Sequence, residues 1–185
     1  MIIEETPILD LLVIVPTRHG DPRGFFSESW NSRAMAEAGI DIAFVQDNHS
    51  MSETAGTLRG LHFQSPPHAQ AKLVRCGRGR LLDVVVDVRK GSPSFGKWHS
   101  EVLSYENGRQ LLVPEGFLHG FLTLAPMTEI IYKCSDFYNY EADGAVLWDS
   151  CGIDWGLKSP PLLSPKDANA QPLSEFDSPF KWVAQ

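Results

Sequence analysis

From Leu81 to Arg89 the chain alternates: Leu82, Val84, Val86 and Val88 fall on one face of an extended segment, and Asp83, Asp87 and Arg89 on the other. A period of two is a β-strand, because successive side chains leave a pleated backbone on opposite sides. Gly77 and Gly79 mark a turn before it, and Gly91-Ser92-Pro93 a turn after it. Gln110 to Val113 reads as a further strand closed by Pro114-Glu115-Gly116. Glu129 to Cys134 reads as another, with Ile130, Tyr132 and Cys134 sharing a face. One helix is clear: Arg33 to Ala38, capped by Asn31 or Ser32 and stopped by Gly39. Short strands with glycine and proline between them predict an all-β sandwich or barrel with a few short helices. No repeat, low-complexity stretch or linker divides residues 1–185, so one domain is expected. Its proline- and tryptophan-rich tail, from about residue 156, should wrap the barrel.

A formal net charge of −7 argues against a nucleic-acid partner, which calls for a basic face, yet leaves room for an anionic small ligand held by a few local cations. Cys76, Cys134 and Cys151 form neither a disulfide framework nor a zinc pattern. The first residues are acidic where a signal peptide is basic, and no apolar run approaches a membrane span. A soluble cytoplasmic protein without a membrane partner is expected.

The chemistry concentrates around Arg59-Gly60-Leu61-His62-Phe63-Gln64, followed by Lys72 within Ala71-Lys72-Leu73-Val74-Arg75. A histidine base and two cations on neighbouring strands could bind an anion and stabilise a developing negative charge. Taken alone, the segment is better read as a core histidine satisfied by hydrogen bonds, with Arg59 and Lys72 at strand ends. Pro114-Glu115-Gly116-Phe117-Leu118-His119 resembles the PxGxxH core of the second cupin motif. The first cupin motif would offer His-x-His, but here the place reads His62-Phe63-Gln64. With one histidine missing, no metal site is expected; His68 and His99 lack motif spacing and read as exposed loop histidines. No glycine-rich dinucleotide fingerprint is present either, so no cofactor is expected.

Together with Asp21 to Glu28, Phe44 to Asn48, Tyr132-Lys133, Asp136-Phe137-Tyr138, Gly152 to Trp155 and Leu163 to Asp167, these segments resemble the bacterial dTDP-4-dehydrorhamnose 3,5-epimerases in order and spacing, from about Asp21 to Pro172. The resemblance implies a cupin-type jelly-roll barrel. It also implies an isomerase that inverts C3 and C5 of dTDP-4-dehydro-6-deoxy-D-glucose, beside the C4 ketone. His62 would be the base, Asp167 its carboxylate partner, Lys72 the holder of the C4 oxyanion and Tyr132 the acid on the far face. Arg59 and Arg23 would hold the diphosphate. Gln46, Asn48 and Glu28 would contact the nucleotide and Tyr138 would stack on thymine. His119 would line the pocket, and Lys166 would reach the nucleotide. The family forms homodimers by exchanging N-terminal strands, which makes Leu9 to Val15 a candidate edge and lets Arg23 and Phe25 complete the neighbour's site.

Two points depart from a smooth match. Strict alternation puts Arg59 and His62 on opposite faces of one strand unless Gly60 marks a bulge. Asp143 stands where the family often carries glutamate, one methylene longer. Competing readings are an epimerase acting at C3 or C5 alone, a cupin that binds a nucleotide sugar without turning it over, and a metal-dependent cupin oxygenase. The last is disfavoured by the missing histidine.

Overall fold

The structure, a computed structural model, describes residues 1–183; the last two positions of the 1–185 span lie outside the described residues. In chain order the first strands are β1 (Ile2–Glu5), β2 (Leu12–Val15), β3 (Arg18–Asp21), β4 (Gly24–Ser27), β5 (Gln46–Ser52), β6 (Leu58–Gln64) and β7 (Lys72–Arg78). Then come β8 (Arg80–Asp87), β9 (Trp98–Ser104), β10 (Gln110–Val113), β11 (Phe117–Thr123), β12 (Thr128–Cys134) and β13 (Asp143–Ala145). Helix α1 (Ser32–Glu37) begins as its sequence predicts, with the Asn31 side chain accepting from the N–H groups of Arg33 and Ala34. Helix α2 (Pro165–Ala168) sits in the tail.

Two antiparallel sheets face each other, ordered β1-β2-β10-β7-β12-β5 and β13-β6-β11-β8-β9, while β3 and β4 form a separate hairpin. Between the sheets lies a core that includes Val13, Val74, Leu81, Val85, Leu111, Phe117, Phe121 and Ile130. Two further apolar layers cover the outer faces. The C-terminal tail, with Trp155 and Phe180 buried, closes over Leu58, Leu61, Val84, Val86, Val88 and Leu118. On the other side, Met35 of α1 and Ile40 pack on Ile14, Leu73 and Leu112.

The alternation in β8 therefore separates two interiors rather than core from solvent. Leu82, Val84, Val86 and Val88 lie in or against the layer under the tail, and Leu81, Asp83, Val85 and Asp87 face the partner sheet. Asp87 is wholly buried and tied to Arg89, Ser92 and Ser94, which satisfies a carboxylate that burial alone would make costly. The segment Leu9 to Val15 is not an edge in this chain. Its strand β2 pairs with β1 on one side and β10 on the other because Val13 and Ile14 are both buried, and the outermost strand is β1.

Candidate active site

The geometry begins with one glycine. Across β6 and β11, His62 pairs with His119 and Arg59 with Phe121, so three steps on β6 oppose two on β11: a β-bulge at Gly60-Leu61. The extra residue turns Arg59 and His62 to the same side, while Leu58 and Leu61 both enter the layer under the tail. Gly60 has φ +130°, and a Cβ there would lie 2.5 Å from the Cα of Gly120. Only glycine fits this conformation and this approach.

His62 lies in the wall of a cleft of about 190 Å³ lined also by Gln46, Asn48, Lys72, Tyr132, Tyr138, Asp143 and Lys166. The register explains this set. Tyr132 pairs with Asn48, Cys134 with both Gln46 and Lys72, and Asp143 with Gln64. Strands from both sheets thus send side chains toward one mouth.

Asp167 reaches His62 from the tail. Ser164 caps α2 by accepting from the Asp167 N–H, and Pro165 sits in the first turn, where its missing N–H costs nothing. His62 Nε2 and Asp167 Oδ1 are 2.5 Å apart, with the Asp167 side chain 2% exposed and that of His62 33%. Burial alone would raise the Asp167 carboxyl. The His62 ring, Ser164 and the Gly60 N–H outweigh it and keep the group below the usual carboxylate value. An Nε2–H donated to this carboxylate leaves the lone pair of neutral imidazole on Nδ1, free to take a proton.

Lys72 is held below its ordinary value, chiefly by burial of its amine; Asp143 and Asp83 oppose that shift. Burial raises the Tyr132 phenol, against smaller pulls from Arg59 and Asn48, so it stays a proton donor through the neutral range. At the rim, Asp143 accepts from Tyr138 Oη at 3.2 Å and from Lys166 Nζ at 2.5 Å. The aspartate, despite its shorter side chain, is thus engaged by two of the predicted binding residues.

Other predicted residues lie elsewhere. Arg59 lines an adjoining cleft of about 410 Å³ that shares His62 and also takes in Ser164 and Asp167. His119, expected to line the pocket, is 8% exposed and outside the lining. Its Nε2 is 2.7 Å from Asp83 Oδ1, because a wholly buried carboxylate draws in a partner. Arg23, Phe25 and Glu28 are not brought to this cleft. Arg23 pairs with Asp21, Phe25 lies against Arg18 and Tyr105, and Glu28 accepts from Asn31. The hairpin carrying the first two lies beside Arg75, Tyr105 and Gln110 instead. His99 is no exposed loop histidine: it lies on β9 with Nε2 buried. Among the described residues no group of three or more His, Cys, Asp or Glu could hold a metal ion. Sequence reasoning missed Gln64, Gln70 and Asp83. The available signals were a glutamine at a histidine position and a carboxylate within an apolar strand.

The family described as dTDP-4-dehydrorhamnose 3,5-epimerase matches residues 5–175. The dTDP-4-dehydrorhamnose 3,5-epimerase of Shigella flexneri is 50% identical over 94% of this chain and 96% of its own length. That of Salmonella typhimurium is 48% identical over 95% and 97%. The crystal structure of the Legionella pneumophila dTDP-6-deoxy-D-glucose-3,5-epimerase, in complex with dTDP-4-keto-L-rhamnose, superposes with a TM-score of 0.94. It is 44% identical and covers 98% of each chain.

Proposed function

The chain belongs to the dTDP-4-dehydrorhamnose 3,5-epimerase family, cupin-fold isomerases, and from that premise we propose how its own residues carry out the reaction. The substrate is dTDP-4-dehydro-6-deoxy-D-glucose and the product dTDP-4-dehydro-L-rhamnose, a step of dTDP-L-rhamnose biosynthesis. His62 removes the proton beside the ketone, at C3 and at C5, with its tautomer fixed by Asp167. Lys72 holds the C4 oxygen as it becomes an enolate, where an ammonium aimed at developing charge is worth most. Tyr132 delivers a proton to the opposite face of each carbon. Arg59 takes the diphosphate, and Tyr138, Gln46, Asn48, Asp143 and Lys166 take the nucleotide. The observation that carries this reading is the 2.5 Å contact of His62 with a buried carboxylate, in the wall of a cleft that also contains Lys72 and Tyr132.

Arg23, Phe25 and Glu28 serve the site of a second copy in a homodimer. That none of them lines the cleft of its own chain, and that the Arg23 side chain is 89% exposed, support this arrangement. We place the enzyme in the cytoplasm; its three cysteines are free, and no described helix is long and apolar enough to cross a membrane. The test is incubation of the substrate with the protein in heavy water. Deuterium at both C3 and C5 by NMR is expected; deuterium at one carbon only would reduce the reaction to a single epimerisation, and none would remove it.

A further inference from the structure

Gln64 stands at the place where a metal-binding cupin offers a second histidine, and the structure gives it a different occupation. It is 5% exposed at the end of β6, and every polar valence of its amide but one lone pair is used. Nε2 donates to the carbonyl of His68 at 2.5 Å and to that of Phe137 at 3.0 Å, while Oε1 accepts from the N–H of Asn139 at 2.9 Å. The last two bonds flank Tyr138 on its two sides. The Tyr138 N–H itself donates to Gln46 Oε1 at 3.0 Å, and the residue stays 58% exposed. Gln70 adds a bond from Nε2 to the Asp136 carbonyl at 2.8 Å, and His68 Nδ1 is 3.0 Å from Asp136 Oδ2. The loop before β13 is therefore fixed by its backbone while the aromatic side chain between the two clamped peptides is left uncovered.

We propose that Gln64 is a positioning residue for nucleotide binding: it clamps the peptides before and after Tyr138 and so presets the ring as a platform for the base. The inference rests on the reading that Tyr138 stacks on thymine. A neutral amide is the side chain this position requires. A carboxylate there would face two carbonyl oxygens with no hydrogen to give, and a histidine could not donate twice and accept once. A preset platform lowers the ordering cost of binding, so Gln64 should act on affinity and not on the proton transfers.

The test uses dTDP as ligand and the whole protein. Gln64→Glu and Gln64→Met should each weaken dTDP binding by calorimetry about tenfold, the scale of one buried hydrogen-bonding group left unsatisfied. KM for the sugar nucleotide should rise in step, while kcat falls less than about threefold. Tyr138→Ala should weaken dTDP similarly, and adding Gln64→Glu to it should cost little more, because both act through one ring. Gln64 variants that bind dTDP like the wild type, beside a weakened Tyr138→Ala, would overturn the role of Gln64 and leave the platform standing. A Tyr138→Ala variant with undiminished affinity would overturn both, and additive losses in the double variant would show that Gln64 acts by another route. The wild-type chain supplies a check that needs no substitution. The Asn139 amide should exchange with heavy water far more slowly than the neighbouring Tyr140 amide, and equal rates would remove the clamp.

Discussion

Asp83 and His119 are joined at 2.7 Å between the sheets, and the second oxygen of Asp83, buried like the first, has no hydrogen-bond partner among the described residues. A carboxylate left half-satisfied inside a barrel needs a reason beyond packing. Its field supplies one, since Asp83 is among the groups that keep the Lys72 amine charged against burial. The sign of the pH effect follows. Lys72 carries its charge below its folded value and loses it as pH rises through that value, which lies under the ordinary 10.5. Tyr132 lies above its ordinary 10.0 and remains protonated there. The alkaline limb of kcat/KM should therefore fall below pH 10.5 and report Lys72. Asp83→Asn should move that limb to lower pH. Lys72→Arg, charged throughout, should lose it. A limb that stays in place in Asp83→Asn would separate Asp83 from Lys72.

The bulge should fail with the smallest possible side chain. Gly60→Ala places a methyl against the Gly120 backbone at a φ of +130°. Combining strain and clash, a loss of about 2–4 kcal/mol in unfolding free energy is expected, with turnover lost as Arg59 and His62 part company. Gly91→Ala is the control. It shares a positive φ, +87°, but meets nothing within 4 Å, and should cost only about 1–2 kcal/mol with turnover intact. Urea melts and activity assays of the two variants make the comparison.

Shared sites can be detected by mixing defective subunits. His62→Ala and Arg23→Ala should each be nearly inactive alone. If Arg23 serves the partner's cleft, co-refolding equal amounts gives heterodimers in which one site has both residues native. Random pairing then restores about a quarter of the wild-type activity. If each Arg23 serves its own chain, no mixed pair has a complete site and mixing restores nothing.

The site residues are legible through the family resemblance of segments whose order and spacing persist in this sequence, and the strands that carry several of them are punctuated by glycine and proline. Asp167 is named from the Leu163 to Asp167 match, and the registers of β6, β7 and β12, with their shifts, come only from the strand pairing. What could not be read depends on contacts between segments far apart in the chain. The alternation of β8 gave two faces but not which one turned inward, since the tail makes a second interior for the apolar face. The bulge at Gly60 was visible only as a conflict between Arg59 and His62. Nothing local in Arg23, Phe25 or Glu28 tells that none of them lines the cleft of its own chain. Gln64 read as an absent histidine because its three partners, at His68, Phe137 and Asn139, belong to loops without a pattern of their own.

The two proton-transfer residues should fail in different ways. His62→Ala removes the base that acts first at each carbon, so deuterium entry at C3 and C5 should fall by about 10²–10⁴-fold, and inversion with it. Asp167→Asn should resemble a milder form of that variant, because an amide can still meet the imidazole but no longer fixes the tautomer that leaves Nδ1 basic. Tyr132→Phe keeps the ring packed against the core beside Ile130 and loses only the hydroxyl. Proton removal by His62 then continues, and the carbanion can be reprotonated by the same imidazole from the original face. Solvent deuterium should enter at C3 or C5 with retained configuration while net inversion falls sharply. The ratio of exchange to inversion, read by NMR in heavy water, is thus expected to be near that of the wild type for His62→Ala and strongly raised for Tyr132→Phe. If Tyr132→Phe inverts both centres at the wild-type rate, the phenol is not the acid, and the donor on the far face must be a water or another side chain of the cleft.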